Sequence, residues 1–299
     1  MSLLIIGSIA FDTIITPYEK RERIVGGSAT YCALASSFFT RPRLCGVVGE
    51  DFPAEILDFF KKKGIRTEGI TIKPGKTFYW EGKYGYDPNQ RESLRTELNV
   101  MANYEPVIPP AFRRSSIVYL ATVDPDWHEA ILKQVEQPCL SAMDTIQFWV
   151  LNKAESIWRA LEKINIFFAN DEEIRLLTRE TNLVRAAKLI LEAGPSIVVV
   201  KKGEHGALVF GRDFIFGTIA HPCENVVDPT GAGDSFAGGF LGYLDRARRA
   251  GPRTIRKALV AGSVVASFVI EDFGIERLKY LTREEIRRRM RYFRQLVSF

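Results

Sequence analysis

The sequence predicts a layered α/β fold around a mainly parallel sheet, and two observations carry that expectation. Short apolar, β-branched runs alternate with helical patterns: LLIIGSIA from residue 3, LCGVVG at 44–49, SIVYLAT at 116–122, NIFFAN at 165–170 and SIVVVKKG at 196–203. The runs are continuously apolar, which suits strands buried on both faces, and the helices between them suit right-handed crossovers joining parallel strands.

The 299-residue chain is 46% hydrophobic, enough for a large core. No Pro/Gly/Ser-rich linker, low-complexity tract or fixed-period repeat divides it, so residues 1–299 read as a single domain. Two segments break the rhythm. Residues 12–25 and 71–101 have strand character with Gly and Pro-Asn punctuation and no helical period, and they read as a small antiparallel sheet. From Phe78 to Tyr86 the even positions are Phe78, Trp80, Gly82, Tyr84 and Tyr86, which gives one face of that sheet an aromatic character. Such a face must lie on a ligand, on the main domain or on a second subunit, so a homodimer through this sheet is one expected partnership.

Composition removes several classes of function. No stretch reaches the roughly 18 apolar residues of a membrane span, and the N-terminal run is too short and too uncharged for a signal peptide, so a cytoplasmic protein is expected. Cys32, Cys45, Cys139 and Cys223 are far apart, with no C-x-x-C pair, and read as reduced thiols. The net charge of +5 is local: near the C-terminus Ile286, Met290 and Phe293 recur at helical spacing with arginines on the other face. That pattern reads as a solvated helix face. Base-reading motifs and interleaved stacking aromatics are absent, so no nucleic acid is expected as a partner.

The chemistry concentrates in VVDPTGAGDSFAGGFLGYL, residues 226–244. A glycine-rich turn leads into a helix there, and Gly231, Ala232 and Gly233 bring backbone N–H groups to the helix start with little side-chain bulk, an arrangement that binds phosphate oxygens. A Walker A loop needs Gly-Lys-Ser/Thr and a dinucleotide fingerprint needs Gly where Phe236 stands, so neither applies. Asp234 directly follows the nest. It either stabilises the first helical turn or takes a proton from a hydroxyl aligned with the phosphate.

DPTGAGDSF, Asp228 to Phe236, resembles the C-terminal signature D-[TP]-T-G-A-G-D-[ST]-F of the ribokinase-like (PfkB) family of carbohydrate and nucleoside kinases. The resemblance extends to Asp12 in GSIAFD, to Gly26 and Gly27 in GGSATYCALA, to GVVGEDFP at 46–53, to the Asn170/Glu173 pair and to KKGEHG around Lys201, Gly203 and Gly206. It implies a three-layer α/β/α ribokinase-like core with a mainly parallel central sheet, and it makes the small β-sheet a lid. It also implies that Gly231, Ala232 and Gly233 form an anion hole for the transferring phosphoryl group and that Asp234 is the base. Asp12, Gly26 and Gly27 then contact substrate hydroxyls.

Asn170 and Glu173 form the family's N-x-x-E motif, which helps place Mg²⁺, although the same spacing is also that of a helix capping box. Lys201, Gly203 and Gly206 stand where the family's strand-turn-strand borders the nucleotide, with Lys201 where Thr is common. The resemblance further implies that the helix carrying Gly262 forms a wall of the adenine slot and that Asp228 orders the loop, in some members around a monovalent cation. One departure concerns Tyr31, which stands where the family often has a sugar-contacting Asn. A Tyr there stacks on a ring or narrows the pocket, which together with the aromatic lid face leans the acceptor toward a nucleoside. The expected activity is transfer of the γ-phosphoryl group of ATP, with Mg²⁺, to a hydroxymethyl group of a sugar or nucleoside. The rival from another class is a catalytically silent sugar- or nucleotide-sensing protein.

Overall fold

The structure, a computed structural model, describes residues 2–102 and 104–297. The apolar runs become strands of a nine-stranded sheet: β1 (Leu3–Gly7), β4 (Arg43–Gly49), β5 (Arg66–Lys73), β8 (Ile117–Ala121), β9 (Leu140–Met143), β10 (Ile166–Asn170), β11 (Ile197–Lys201), β12 (Ala207–Gly211) and β13 (Phe214–Thr218). The order is β13-β12-β11-β10-β9-β8-β1-β4-β5, parallel from β11 to β5 and antiparallel at the β12–β13 edge.

Alternate residues of the central strands feed two cores. Leu3, Ile5, Ile117, Tyr119, Phe168 and Val199 point to one face, whereas Leu4, Ile6, Val118, Leu120, Phe167 and Val200 point to the other. The first face is covered by helices including α1 (Ser28–Ser37), α8 (Ala232–Ala247), α9 (Pro252–Val269) and α11 (Arg283–Leu296). The second is covered by α3 (His128–Leu132), α4 (Gln147–Asn152), α5 (Ala154–Leu161), α6 (Asp171–Thr178) and α7 (Leu183–Ala193). Three layers result. Helix α1 is buried along its whole length, so it has no polar stripe, whereas α11 buries Ile286 and Phe293 and leaves arginines outside.

Helix α8 is seated between α1 and α9 by glycines. A Cβ on Gly238 would run into the Cys32 carbonyl of α1, and one on Gly239 would stand 2.9 Å from the Ala261 carbonyl of α9. The first turn of α8 is thereby fixed against the main layers.

The smaller sheet has the order β3-β2-β6-β7, with β2 (Ala10–Ile15), β3 (Lys20–Gly26), β6 (Phe78–Tyr84) and β7 (Arg91–Glu97). The outer pairs are antiparallel as expected, but its centre, β2 beside β6, is parallel, because the two hairpins are joined through strands of the large sheet. Two boundaries differ from expectation. LLIIGSIAF is split, since the chain leaves the large sheet at Gly7 and enters the small one at Ala10, and residues 71–73 continue β5 of the large sheet. An apolar run cannot reveal a crossing that happens inside it.

The aromatic pattern also differs. Tyr86 lies beyond the end of β6 and is 88% exposed, so it is not part of a covered face. Trp80 and Tyr84 gather with Ile14, Ile24, Phe273 and Val227, while Tyr79, from the other parity, packs on the main core. Both faces of β6 are therefore used.

Candidate active site

The carboxyl ends of the parallel strands and the small sheet meet at one place, where ligands bind in open α/β sheets. Helix α8 opens there. Gly231 is left-handed, with φ 75° and ψ 0°, and Ala232 begins the helix, a reversal of hand that makes a concave row of amides. The Ala232 N–H donates to the Pro229 carbonyl at 3.2 Å, which closes the turn. Of the three amides expected in the nest, those of Gly231 and Gly233 donate to no backbone carbonyl among the described residues, so the middle one is the weaker contributor.

The loop before the nest is tied down by Asp228. Its carboxylate, fully buried, accepts the N–H of Thr230 at 2.8 Å and that of Gly274 at 3.0 Å. Burial raises the Asp228 pKa and these amides oppose the rise. The loop is ordered by amide bonds to its own chain.

Asp234, half-buried, has its pKa raised to about 6, first by burial and then by Asp144, with Lys201 and Arg91 pulling it back. Asp12, from β2, is 3% exposed and is pushed up to about 8, by burial first and then by Asp228, although the Gly27 amide bonds its carboxylate. Gly26 lies against that carboxylate, since a Cβ there would overlap it. Gly27, with φ 95°, starts α1, and a Cβ on it would collide with Ser8 and Ala10 backbone. Asp12, the Gly pair and Asp234 thus share one end of the site, with Asp12 and Asp234 close enough to act on one another electrostatically.

Lys201 ends β11 and is the register partner of Asn170 at the end of β10. Its ammonium pairs with Asp144 Oδ2 at 2.5 Å and would stand 3.2 Å from a Cβ on Gly233, so it lies beside the nest. Burial lowers the Lys201 pKa most, but Asp144 and Glu173 outweigh it and the net shift is upward. Asp144, 2% exposed, also accepts the Tyr119 hydroxyl at 3.3 Å and the Thr145 N–H at 2.9 Å.

Asn170 and Glu173 form a reciprocal capping box on α6: Asn170 Oδ1 accepts the Glu173 N–H at 2.7 Å, and Glu173 Oε2 accepts the Asn170 N–H at 2.8 Å. Glu173 is 5% exposed, and its pKa is raised to about 7 by burial, with Lys201 opposing. Among the described residues no cluster of three or more His, Cys, Asp or Glu forms a metal cage. Mg²⁺ at phosphoryl-transfer sites keeps several waters and takes one or two carboxylates plus substrate phosphates, and Asp144 with Glu173 fits that need.

Gly203 and Gly206 bound a turn with φ 54° and 87°, next to Lys201. The lid tip reaches this turn, because a Cβ on Gly203 would overlap the Asn89 side chain. Two expected roles change. Gly262 is buried on α9 with its Cα side against Phe236 of α8, so it serves helix packing and is not open to an adenine. Tyr31 is 1% exposed, and a Cβ on Gly231 would drive into its ring, so its faces are closed to an acceptor.

The sequence reading passed over two contributors, Arg91 and Asp144, and gave a third, Tyr84, only a place on the aromatic lid face. Tyr84 from the lid shares a hydrogen bond of 3.0 Å with the Thr230 hydroxyl in the nest loop. Arg91, at the start of β7, bonds the Tyr84 hydroxyl and acts electrostatically on Glu173 and Asp234. Asp144 follows β9. A carboxylate directly after the run LSAM was a usable signal, because strand carboxyl ends carry sites, but four residues are too few for a strand to stand out. Nothing in the sequence around Arg91 announces its reach.

Comparison with known proteins agrees with this geometry. A family model described as pfkB family carbohydrate kinase matches residues 2–278. A cytidine kinase of Thermococcus kodakarensis is 28% identical, covering 83% of this chain and 90% of that protein. A nucleoside kinase of Methanothermobacter thermautotrophicus is 27% identical, covering 92% and 91%. Among solved structures, a Methanocaldococcus jannaschii nucleoside kinase superposes with a TM-score of 0.79 at 21% identity, covering 98% of this chain and 99% of that one. A Burkholderia thailandensis nucleoside kinase in complex with inosine gives 0.77 at 23% identity, covering 97% of each chain, a likeness of fold. With the signature loop, the lid and the three-layer sheet in one chain, the protein belongs to the pfkB family of carbohydrate kinases and is an ATP-dependent phosphotransferase acting on a hydroxyl group.

Proposed function

We propose that the chain phosphorylates the hydroxymethyl group of a nucleoside, with Asp234 as general base. The observation that carries the reading is the pairing of Asp234, at the mouth of the nest, with Asp12 at the same end of the site, which gives one carboxyl for the reacting hydroxyl and one for the other hydroxyls of a furanose. The nucleoside kinases among its relatives and the half-buried Trp80 of the lid support the choice of acceptor.

Phosphoryl transfer needs mainly alignment and charge neutralisation. Asp12, its carboxylate held by the Gly27 amide, orients the acceptor. Asp234 accepts the proton of the attacking hydroxyl as the oxygen–phosphorus bond forms and the bond to the leaving ADP breaks. The amides of Gly231 and Gly233, Lys201 and Arg91 face the phosphoryl oxygens. Glu173 and Asp144 would hold Mg²⁺, which would supply further charge neutralisation when bound. Gly203 and Gly206 shape the turn beside the nucleotide. Asp228 orders the nest loop, and replacing K⁺ with Na⁺ in the assay tests whether a monovalent cation adds to it.

The exposed Tyr18 and Leu94 of the lid support a homodimer through it, checked by sedimentation. Free thiols and the need for ATP support a cytoplasmic location, and no helix among the described residues is long and apolar enough to cross a membrane. Duplex DNA is expected not to bind at physiological salt.

The test is ATP consumption with cytidine, adenosine, inosine, ribose and fructose as acceptors. Turnover with a nucleoside at least about tenfold above the free sugars in kcat/KM supports the reading, equal to about 1.4 kcal/mol of discrimination. Preference for a free sugar overturns the acceptor, and ligand binding without turnover favours the silent sensor.

A further inference from the structure

A glycine populates both hands of the backbone about equally, so a nest that depends on Gly231 being left-handed needs something to hold it there. Resting on the kinase reading above, we propose that Tyr31 is a positioning residue, its ring being the plate on which Gly231 of the anion nest is seated.

Three observations converge. First, a Cβ built on Gly231 meets Cδ1, Cδ2 and Cε1 of Tyr31 at nearly equal distances, so the glycine sits over the face of the ring and not at its edge. Any other backbone path for Gly231 would move it into the plate or lift it off, losing dispersion contact in a close-packed region. Second, the plate is itself immobile. Tyr31 closes the first turn of α1, its N–H donating to the Gly27 carbonyl, Ser28 bonds Ala121 and Ser8, and Gly238 of α8 lies against Cys32. The start and the flank of α8 are thus located by one helix.

Third, the Tyr31 hydroxyl has no hydrogen-bond partner among the described residues although it is buried, with Asp228, Asp12, Tyr84 and Asp234 around it. Within the described chain that hydroxyl bonds nothing, whereas the Tyr84 hydroxyl bonds Thr230. What this residue contributes is the ring, and its 1% exposure keeps that ring from the acceptor.

Tyr31→Phe keeps the plate and Tyr31→Leu removes it. The phenylalanine variant is expected to hold kcat and both KM values within about twofold and to melt no lower, because an unpartnered buried hydroxyl is removed. The leucine variant is expected to lose about tenfold or more in kcat while the acceptor and ATP KM values stay within about threefold, the pattern of an interaction made in the transition state. A tenfold rise in acceptor KM for Tyr31→Phe would mean that the hydroxyl contacts the acceptor, and ends the proposal. So does a leucine variant with unchanged kcat, or one that no longer folds, which would make Tyr31 a plain core residue. Wild type without turnover on any hydroxyl acceptor defeats the kinase reading instead. The plate is then read by binding of ADP with orthovanadate, which must weaken for Tyr31→Leu and not for Tyr31→Phe.

Discussion

The phenol of Tyr84 and the hydroxyl of Thr230 lie 3.0 Å apart, joining the lid to the nest loop across 146 residues of sequence. Tyr84→Phe breaks that join while leaving the ring in its apolar cluster. It is expected to lower stability by only about 1 kcal/mol, to raise the acceptor KM and to increase ATP hydrolysis without acceptor, because water enters the site. ATP KM should hold. Initial rates with and without nucleoside check this, and unchanged sedimentation separates it from a subunit-contact effect.

Asp234→Asn retains shape and removes proton acceptance, so kcat is expected to fall about 10² to 10⁴-fold with ATP binding intact. In the wild type the base must be ionised. With its pKa raised to about 6, kcat/KM should be flat near neutrality and fall about tenfold per pH unit below pH 6. A pH–rate profile measures it, and an asparagine variant within threefold of wild type would falsify the assignment.

Asp12 links pH to stability with a definite sign. Its folded-state pKa, about 8, lies above the ordinary carboxylate value of 3.8, so the folded chain binds the proton more tightly than the unfolded chain. The stability this contributes is complete below pH 4 and is lost as pH rises through 8. Asp12→Asn, neutral at every pH, is therefore expected to raise Tm more at pH 8.5 than at pH 5, while weakening the acceptor. Melting curves at the two pH values decide.

Glu173→Gln preserves an acceptor for the Asn170 N–H and so preserves most of the cap, whose complete loss costs about 1 kcal/mol. Charge is what it removes. The half-saturating Mg²⁺ concentration is expected to rise about tenfold with Tm nearly constant. A drop in Tm at unchanged Mg²⁺ dependence would leave Glu173 a capping residue only.

Lys201→Met strands the Asp144 carboxylate, which is 2% exposed, and breaking one partner of a buried pair costs about 3–5 kcal/mol. Adding Asp144→Leu is expected to restore much of the melting temperature and none of the activity. Denaturation and rate measured on the single and double variants separate stabilising from catalytic use of the pair.

The signature loop was legible because its chemistry is local: a turn, a helix start and a carboxylate follow one another in sequence, and backbone amides need no distant partner. The parallel strands were legible for the same reason. The pairing of Tyr84 with Thr230 and of Lys201 with Asp144 was hidden, since each joins residues that only the crossover connections bring together. Tyr31 misled for a physical reason. Its position in the motif pointed at the acceptor, but a ring on a helix buried along its whole length faces whatever packs on that helix, here Gly231. Gly262 misled likewise, because a small residue suits a ligand wall and a helix contact equally well.

The glycine seating of α8 has a consequence for how such a chain changes over time. Gly238 and Gly239 lock α8 to α1 and α9, whereas Trp80 belongs to a sheet entered through the short links Ser8–Ile9 and 74–77. Acceptor range and transfer chemistry are thus separately mutable. A change at Trp80 is expected to alter which acceptor is admitted while the residues around the nest stay in register, whereas a glycine lost from α8 is expected to lower transfer for every acceptor at once.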